Sequence, residues 1–155
     1  MEKKLKTIKE ITLDRINELG YDLYHLEFVK EDGEEFLRFF IETKTGEGVK
    51  LEDCEKVSRE VSVLLDEKDP IDSAYFLEVS SPGIFRQLYT VEQIKAAIGE
   101  RVRVTPEAEG KGKEANQMVG ILSEFDGTTL TLDLVGEQKE IEYQGVQAVN
   151  LEPEV

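Results

Sequence analysis

The residues best suited to chemistry lie where an apolar stretch gives way to two hydroxyls, a proline, a glycine and an arginine: Ser80, Ser81, Pro82, Gly83 and Arg86. Proline fixes φ and glycine tolerates conformations that other residues avoid, so this pairing predicts a tight turn. Such a turn can present backbone N–H groups and one guanidinium to a phosphate or a carboxylate. The same residues also fit a plain interdomain turn, in which Pro82 and Gly83 only set the direction of the chain.

Four basic residues of the second half are further candidates for anion contact. They are Arg101 and Arg103 on a predicted strand, and Lys111 and Lys113 in a glycine-containing loop. The loop does not fit the P-loop pattern, because Glu114 stands where that pattern requires Ser or Thr. The two lysines could still touch a phosphate, and the two arginines fit either a phosphate contact or an ordinary solvated strand face.

Nucleophilic and metal chemistry find little support in the sequence. The chain has one cysteine, Cys54, and one histidine, His25, whereas a zinc site needs about four ligands. His25 is predicted to be a partly exposed strand residue. Cys54 falls on the apolar stripe of a predicted helix, where a free cysteine packs as a small hydrophobe. The sequence therefore predicts no enzyme, no metal and no cofactor.

The charge of the chain constrains its partners. Its 155 residues include 34 acidic and 19 basic side chains, which gives a formal net charge of −15. Broad binding to a phosphate backbone depends on Lys and Arg, so this balance argues against it and favours basic proteins. Acidity also fits a simpler purpose, solubility. Since the chain contains neither a signal-peptide pattern nor a membrane-length apolar run, we expect a soluble, cytoplasmic protein.

The apolar periodicity of the first half predicts helix, strand, strand, helix and strand, a small sheet with two helices packed on it. The first helix ends at Gly20, a turn at residues 32–34 separates the two strands, and Asp69-Pro70 ends the second helix. The predicted apolar face of the first strand is Tyr24, Leu26 and Phe28, and that of the second is Leu37, Phe39 and Ile41.

The second half predicts one short helix followed by short strands. Thr90 is placed to cap the helix, with Gln93 completing a capping box and Ile98 on the apolar face. Strands are expected at residues 101–105 and 118–125, and Asp126-Gly127 is a strong hairpin signal. Several short strands with turns between them indicate a small barrel. We place the boundary at residues 89/90, which gives domains 1–89 and 90–155.

At residues 78–83, followed by Arg86, the chain resembles the signature of the bacterial ribosome maturation factor family RimP. That signature usually continues Leu-Asp-Arg-Pro-Leu, whereas residues 84–88 here are Ile-Phe-Arg-Gln-Leu, so Arg86 or a neighbouring N–H loses an aspartate partner. Further matching segments are Leu19-Gly20-Tyr21, Leu51-Glu52-Asp53-Cys54, Val57-Ser58, Leu65-Asp66, Asp69-Pro70-Ile71 and Asn150-Leu151.

The resemblance implies an α+β fold with a KH-like two-layer domain at residues 1–89 and an Sm-like or SH3-like β-barrel at residues 90–155. It implies a monomeric assembly factor required for maturation of the small (30S) ribosomal subunit, not an enzyme. Such a factor would bind the immature subunit mainly through a basic ribosomal protein of the decoding region. The partner-binding residues would be Ser80, Ser81, Pro82, Gly83 and Arg86.

Two other kinds of function compete with this interpretation. One is an RNA-binding module that contacts rRNA through the C-terminal barrel, with Arg101, Arg103, Lys111 and Lys113 as the contact residues. The KH-like half has no G-x-x-G loop, the element that clamps RNA backbone, which argues against RNA binding by that half. The other is an acidic inhibitor that mimics nucleic acid, since both halves are acidic.

Overall fold

The computed structural model describes residues 2–107 and 116–154. The chain forms two compact units, of which the first ends at Pro82 and the second begins at Gly83. The predicted boundary at residues 89/90 lies close to this division and stays a prediction. None of the described helices is long and apolar enough to cross a bilayer.

The first unit contains the predicted order of helix, strand, strand, helix and strand. Its sheet has the order β1-β2-β3, in which β1 and β2 are antiparallel and β2 and β3 are parallel. Parallel neighbours need a crossover connection, and α2 supplies it. The elements are α1 (Glu2–Glu18), β1 (Tyr21–Glu31), β2 (Glu34–Thr43), α2 (Leu51–Lys68) and β3 (Phe76–Ser80).

The turn between β1 and β2 is the one that the sequence predicts. Asp32 and Gly33 both have positive φ, at 51° and 80°. Two successive residues of this kind form the tight turn whose twist matches that of paired strands. The β1–β2 hairpin is therefore determined locally.

The core of the first unit confirms the predicted face of β2. Leu37, Phe39 and Ile41 have no exposed surface, and they pack with buried residues of both helices. The buried residues of α1 are Ile8, Thr12 and Ile16, and those of α2 are Val57, Val61 and Leu65. Thr12 is tolerated among them because its hydroxyl donates to the carbonyl of Ile8 at 2.8 Å.

The predicted apolar face of β1 is wrong at Tyr24. The pairing with β2 shifts between Leu23 and His25, so Leu23 lies opposite Ile41 and Leu26 opposite Phe39. A β-bulge adds one residue to one strand and thereby reverses the alternation of faces beyond it. Leu23, together with Leu26 and Phe28, packs against the core in the place predicted for Tyr24.

The second unit is one short helix and a five-stranded antiparallel sheet of order β7-β6-β5-β4-β8. A 3₁₀ turn at Tyr143–Gly145 links the strands at the two edges. The elements are α3 (Val91–Ala96), β4 (Arg101–Pro106), β5 (Met118–Phe125), β6 (Thr129–Leu134), β7 (Glu137–Glu142) and β8 (Val146–Leu151).

The predicted capping box of α3 is confirmed. The backbone N–H of Gln93 donates to the Thr90 hydroxyl at 3.0 Å, and the Gln93 side chain accepts from the backbone N–H of Thr90 at 3.3 Å. The prediction that Ile98 belongs to the apolar face of this helix is wrong, since α3 stops at Ala96 and Ile98 is 44% exposed. Ala97 is buried instead.

The core of the second unit is built from alternate residues of its strands. The predicted hairpin at Asp126-Gly127 is present, and β8, which the sequence analysis did not predict, pairs with β4. Asp126 Oδ1 accepts from the backbone N–H groups of Thr128 and Thr129, each at 2.8 Å. Fully buried strand residues are Val102, Val104, Leu122, Leu130 and Leu132.

Candidate functional site

The segment from Ser80 to Arg86 begins at the end of β3. Strand β3 pairs in parallel with β2, and its last pair sets Ser80 opposite Phe40. Ser80 and Ser81 are exposed, and Pro82 is half-buried. These three residues belong to the first unit. Strand β3, which pairs with β2 and packs against α2, therefore positions the two hydroxyls.

Gly83 has the conformation that the sequence predicts for a tight turn. Its φ is 85°, in the left-handed region that side chains disfavour. A Cβ added at this position would meet no atom within 4 Å. Glycine is therefore required here by its backbone angle and not by crowding.

Arg86 is held at the start of the second unit. Its Nε donates to the carbonyl of Gly83 at 3.1 Å, so the guanidinium folds back on its own turn. Its backbone carbonyl accepts from the N–H of Leu151 at 2.9 Å. The guanidinium and the backbone of Arg86 are thus both fixed by carbonyl or amide groups of the second unit.

Asn150 also fixes this segment, a role that the sequence analysis did not assign. Its Nδ2 donates to the carbonyl of Phe85 at 3.1 Å, and the residue forms an antiparallel bridge with Gln87. Asn150 was part of the family resemblance, but its partner could not be read from the sequence. Strand β8 therefore positions residues 85–88.

The predicted rRNA contacts Arg101 and Arg103 both lie on β4 and both bind carboxylates. Arg101 Nη1 lies 2.7 Å from Glu154 Oε1, and Arg103 Nη1 lies 3.0 Å from Glu152 Oε2. Each positive charge is thus compensated within the second unit. Lys111 and Lys113 lie outside the described residues. The assignment of all four to rRNA stays a prediction.

His25 and Cys54 have the surroundings of structural residues. His25 stacks on Phe40 at 5.9 Å and its Nε2 lies 3.2 Å from Glu27 Oε1. Burial lowers the pKa of His25, against the opposing effect of Glu27. Cys54 is half-buried instead of lying in the core, and burial raises the pKa of its thiol. A raised pKa disfavours the thiolate that a nucleophile needs.

A buried phenol and a carboxylate fix the start of α2. The Tyr21 hydroxyl donates to Asp53, and Asp53 Oδ2 accepts from the backbone N–H of Lys50 at 2.8 Å. Burial, together with the bond to Asp53, raises the pKa of Tyr21 to about 12. The pair is a helix cap. Among the described residues no group of three or more His, Cys, Asp or Glu side chains could hold a metal ion.

An ion-pair cluster around Arg38 was also missed from the sequence. Its Nη1 and Nη2 donate to the two oxygens of Glu31 at 2.8 and 2.9 Å, and its Nε donates to Glu78 at 2.5 Å. These hydrogen bonds raise the pKa of Arg38. The guanidinium also lies over the ring of Phe36, 5.0 Å from its centroid. The only sequence signal was a charged residue between phenylalanines on β2.

The described residues define an acidic α+β protein of two units, each with its own sheet, joined through a turn that carries hydroxyls, a left-handed glycine and an arginine. Residues 11–85 match the family model of the RimP N-terminal domain. The match contains all of β1, β2, α2 and β3 and continues into the turn. Residues 11–85 therefore belong to the RimP family of ribosome maturation factors, a family that acts with the small ribosomal subunit.

Proposed function

We propose that this protein is required for maturation of the small (30S) ribosomal subunit and acts in the cytoplasm by binding, as a monomer, without catalysis. The observation that carries the proposal is the match of residues 11–85 to the RimP N-terminal domain. The net charge of −15 supports a basic ribosomal protein of the decoding region as the main partner.

We further propose that residues 1–89 form a KH-like domain and residues 90–155 an Sm-like or SH3-like barrel. The element order α-β-β-α-β with a parallel β2–β3 pair supports the first assignment. A short helix followed by five antiparallel strands supports the second.

The turn from Ser80 to Arg86 is the proposed contact with the partner. In the first unit the exposed hydroxyls of Ser80 and Ser81 support it, and in the second unit the left-handed Gly83 and the positioned guanidinium of Arg86 support it. Hydroxyl and guanidinium groups are each donors to a carboxylate or a phosphate. Contact with rRNA through the second unit has weaker support, since Arg101 and Arg103 already bind carboxylates.

Co-sedimentation of the tagged protein with ribosomal particles from its own cells, at low and high salt, tests the function. We expect enrichment with free small subunits and absence from complete ribosomes. Arg86→Ala should weaken this association, whereas Arg59→Ala, a change to an exposed arginine of α2, should not. Absence of the unaltered protein from every ribosomal fraction at low salt would refute the proposed function.

A further inference from the structure

The sheet of the first unit has one face against the helices and one face directed away from them. Since side chains alternate along a strand, Phe36, Arg38 and Phe40 point opposite to the buried Leu37 and Phe39. The pairing places Glu27, Phe76 and Glu78 beside them. We call these six residues, Glu27, Phe36, Arg38, Phe40, Phe76 and Glu78, the aromatic face.

One phenylalanine of this face, Phe76, remains accessible, whereas Phe36 and Phe40 are half-buried. Phe76 stacks on Phe36 with ring centroids 5.5 Å apart, yet it is 53% exposed. Large apolar side chains grouped on a surface commonly mark an interaction site. The free side of the Phe76 ring can therefore receive a partner side chain.

The carboxylates of the face outnumber its guanidinium. Glu27 and Glu78, with Glu31 at the rim, surround Arg38, whose Nη1 also lies 3.5 Å from Glu27. The side chain of Glu78 is 47% exposed, and that of Glu31 is 51% exposed. The pairing with Arg38 therefore leaves accessible acceptor oxygens and an excess of negative charge.

Arg38 shows how this face holds a guanidinium. It lies over the ring of Phe36 and donates hydrogen bonds to the carboxylates of Glu31 and Glu78. Phe76 and Glu78, neighbours on the same face of β3, offer the same combination to a second arginine. An RNA base could also stack on Phe76, but the adjacent carboxylates would repel its phosphates.

We infer that the aromatic face is a docking surface for an arginine-containing segment of a basic protein, with that guanidinium over Phe76 and bonded to Glu78. The inference rests on the proposed function, because it gives a location to the basic partner proposed there. It adds a second contact region to the turn, which begins where β3 ends at Ser80.

The test compares the full-length double variant Phe76→Ala/Glu78→Gln with the control Val63→Ala/Glu67→Gln. The control changes the same kinds of exposed side chain on α2, where Val63 is 54% exposed. Three probes are used: immature small subunits, the total protein salt-extracted from them, and their rRNA stripped of protein. Matching thermal unfolding of both variants and the unaltered protein establishes that all are folded.

We expect the face variant to lose at least tenfold in affinity for the particles and for the extracted protein, and the control to bind like the unaltered protein. Phe76→Trp should keep most of the affinity because it keeps a ring to stack on. Equal binding by the face variant and the unaltered protein would overturn the docking surface and leave the proposed function standing. A loss confined to stripped rRNA would make the face an RNA surface and also overturn it. Failure of the unaltered protein to bind small-subunit particles would refute the function itself.

Discussion

At the scale of single residues, Gly83 sets the backbone conformation of the turn that follows β3. A proline–glycine pair predicted a tight turn, and the φ of 85° confirms that Gly83 needs a conformation that other residues resist. Gly83→Ala should lower the free energy of unfolding by about 1 kcal/mol, because alanine at positive φ is strained. Urea unfolding of the full chain measures it.

The matched control for this change is Gly145→Ala. Gly145 lies in the same unit, a Cβ there meets nothing within 4 Å, and its φ is outside the left-handed region. Its substitution should therefore leave the stability nearly unchanged. Equal losses for both variants would show that the backbone angle of Gly83 is not the cause.

Asp126 makes the stability of the second unit dependent on pH. Hydrogen bonds from the backbone N–H groups of Thr129 and Thr128 lower its pKa to about 2. A carboxyl with a lowered folded-state pKa stabilises the protein above its unfolded value of about 3.9, and this contribution disappears as the pH falls toward 2. Asp126→Ala should therefore lower the Tm at pH 7 and have little effect at pH 2.

Thermal unfolding between pH 2 and 7 measures this difference, with Asp126→Asn as the second variant. Asparagine keeps an acceptor oxygen but cannot ionise, so it should retain more of the stability at pH 7 and lose less of it on acidification. A Tm difference between Asp126→Ala and the unaltered protein that is the same at both ends of the range would contradict the assignment.

The residues that sequence reasoning missed depend on pairing across the chain. Alternation of apolar residues identified Leu37, Phe39 and Ile41 because it needs only local sequence. The bulge at Tyr24 could not be found in this way, since a bulge is defined by the partner strand. The bonds of Arg38 to Glu78 likewise depend on how β3 pairs with β2.

At the scale of elements, β5 and β6 meet closely at Gly120. A Cβ on Gly120 would lie 2.6 Å from the carbonyl oxygen of Asp133 and 2.9 Å from Cδ2 of Leu134. The nearer neighbour is backbone, so the two strands would have to separate. We expect Gly120→Ala to cost about 1–3 kcal/mol of unfolding free energy, as overpacking does elsewhere.

Urea unfolding tests this change, with Gly145→Ala again as the control. A loss of unfolding free energy well below about 1 kcal/mol would mean that β5 and β6 separate easily at this point. Such an outcome would also remove the reason for a glycine in the middle of β5.

The elements themselves were largely predictable, with one omission. Helices α2 and α3 carry local signals at their ends. A proline follows the end of α2, and a capping box marks the start of α3. Strand β8 has no comparable signal, because its consecutive apolar residues Ala148 and Val149 interrupt the alternation. Only its pairing with β4 identifies it as a strand.

At the scale of the whole molecule, charge was the property that the sequence could establish most fully. A net charge of −15 should accelerate encounter with a basic partner at low ionic strength. Since the Debye length falls from about 30 Å at 0.01 M salt to about 10 Å at 0.1 M, added salt should slow association with the basic proteins extracted from small-subunit particles. The rate of dissociation should change less.

Association and dissociation rates on the immobilised proteins extracted from small-subunit particles, measured over a series of salt concentrations, test this expectation. Sucrose at matched viscosity is the control for slower diffusion. An association rate that does not depend on salt would show that the acidity of the chain serves solubility and not encounter.

The parallel pairing of β2 with β3 has a consequence for the order of folding. The β1–β2 hairpin joins residues that are close in sequence. The pairing of Phe36 with Phe76 can form only later, because Phe76 is synthesised after α2. Contacts between distant residues form more slowly because a long loop must close first. We therefore expect β3 to join the sheet last, so that the exposed hydroxyls after it reach their places only when the rest of the first unit has folded. A nascent chain would then be unable to make the proposed contact through this turn before that unit is complete.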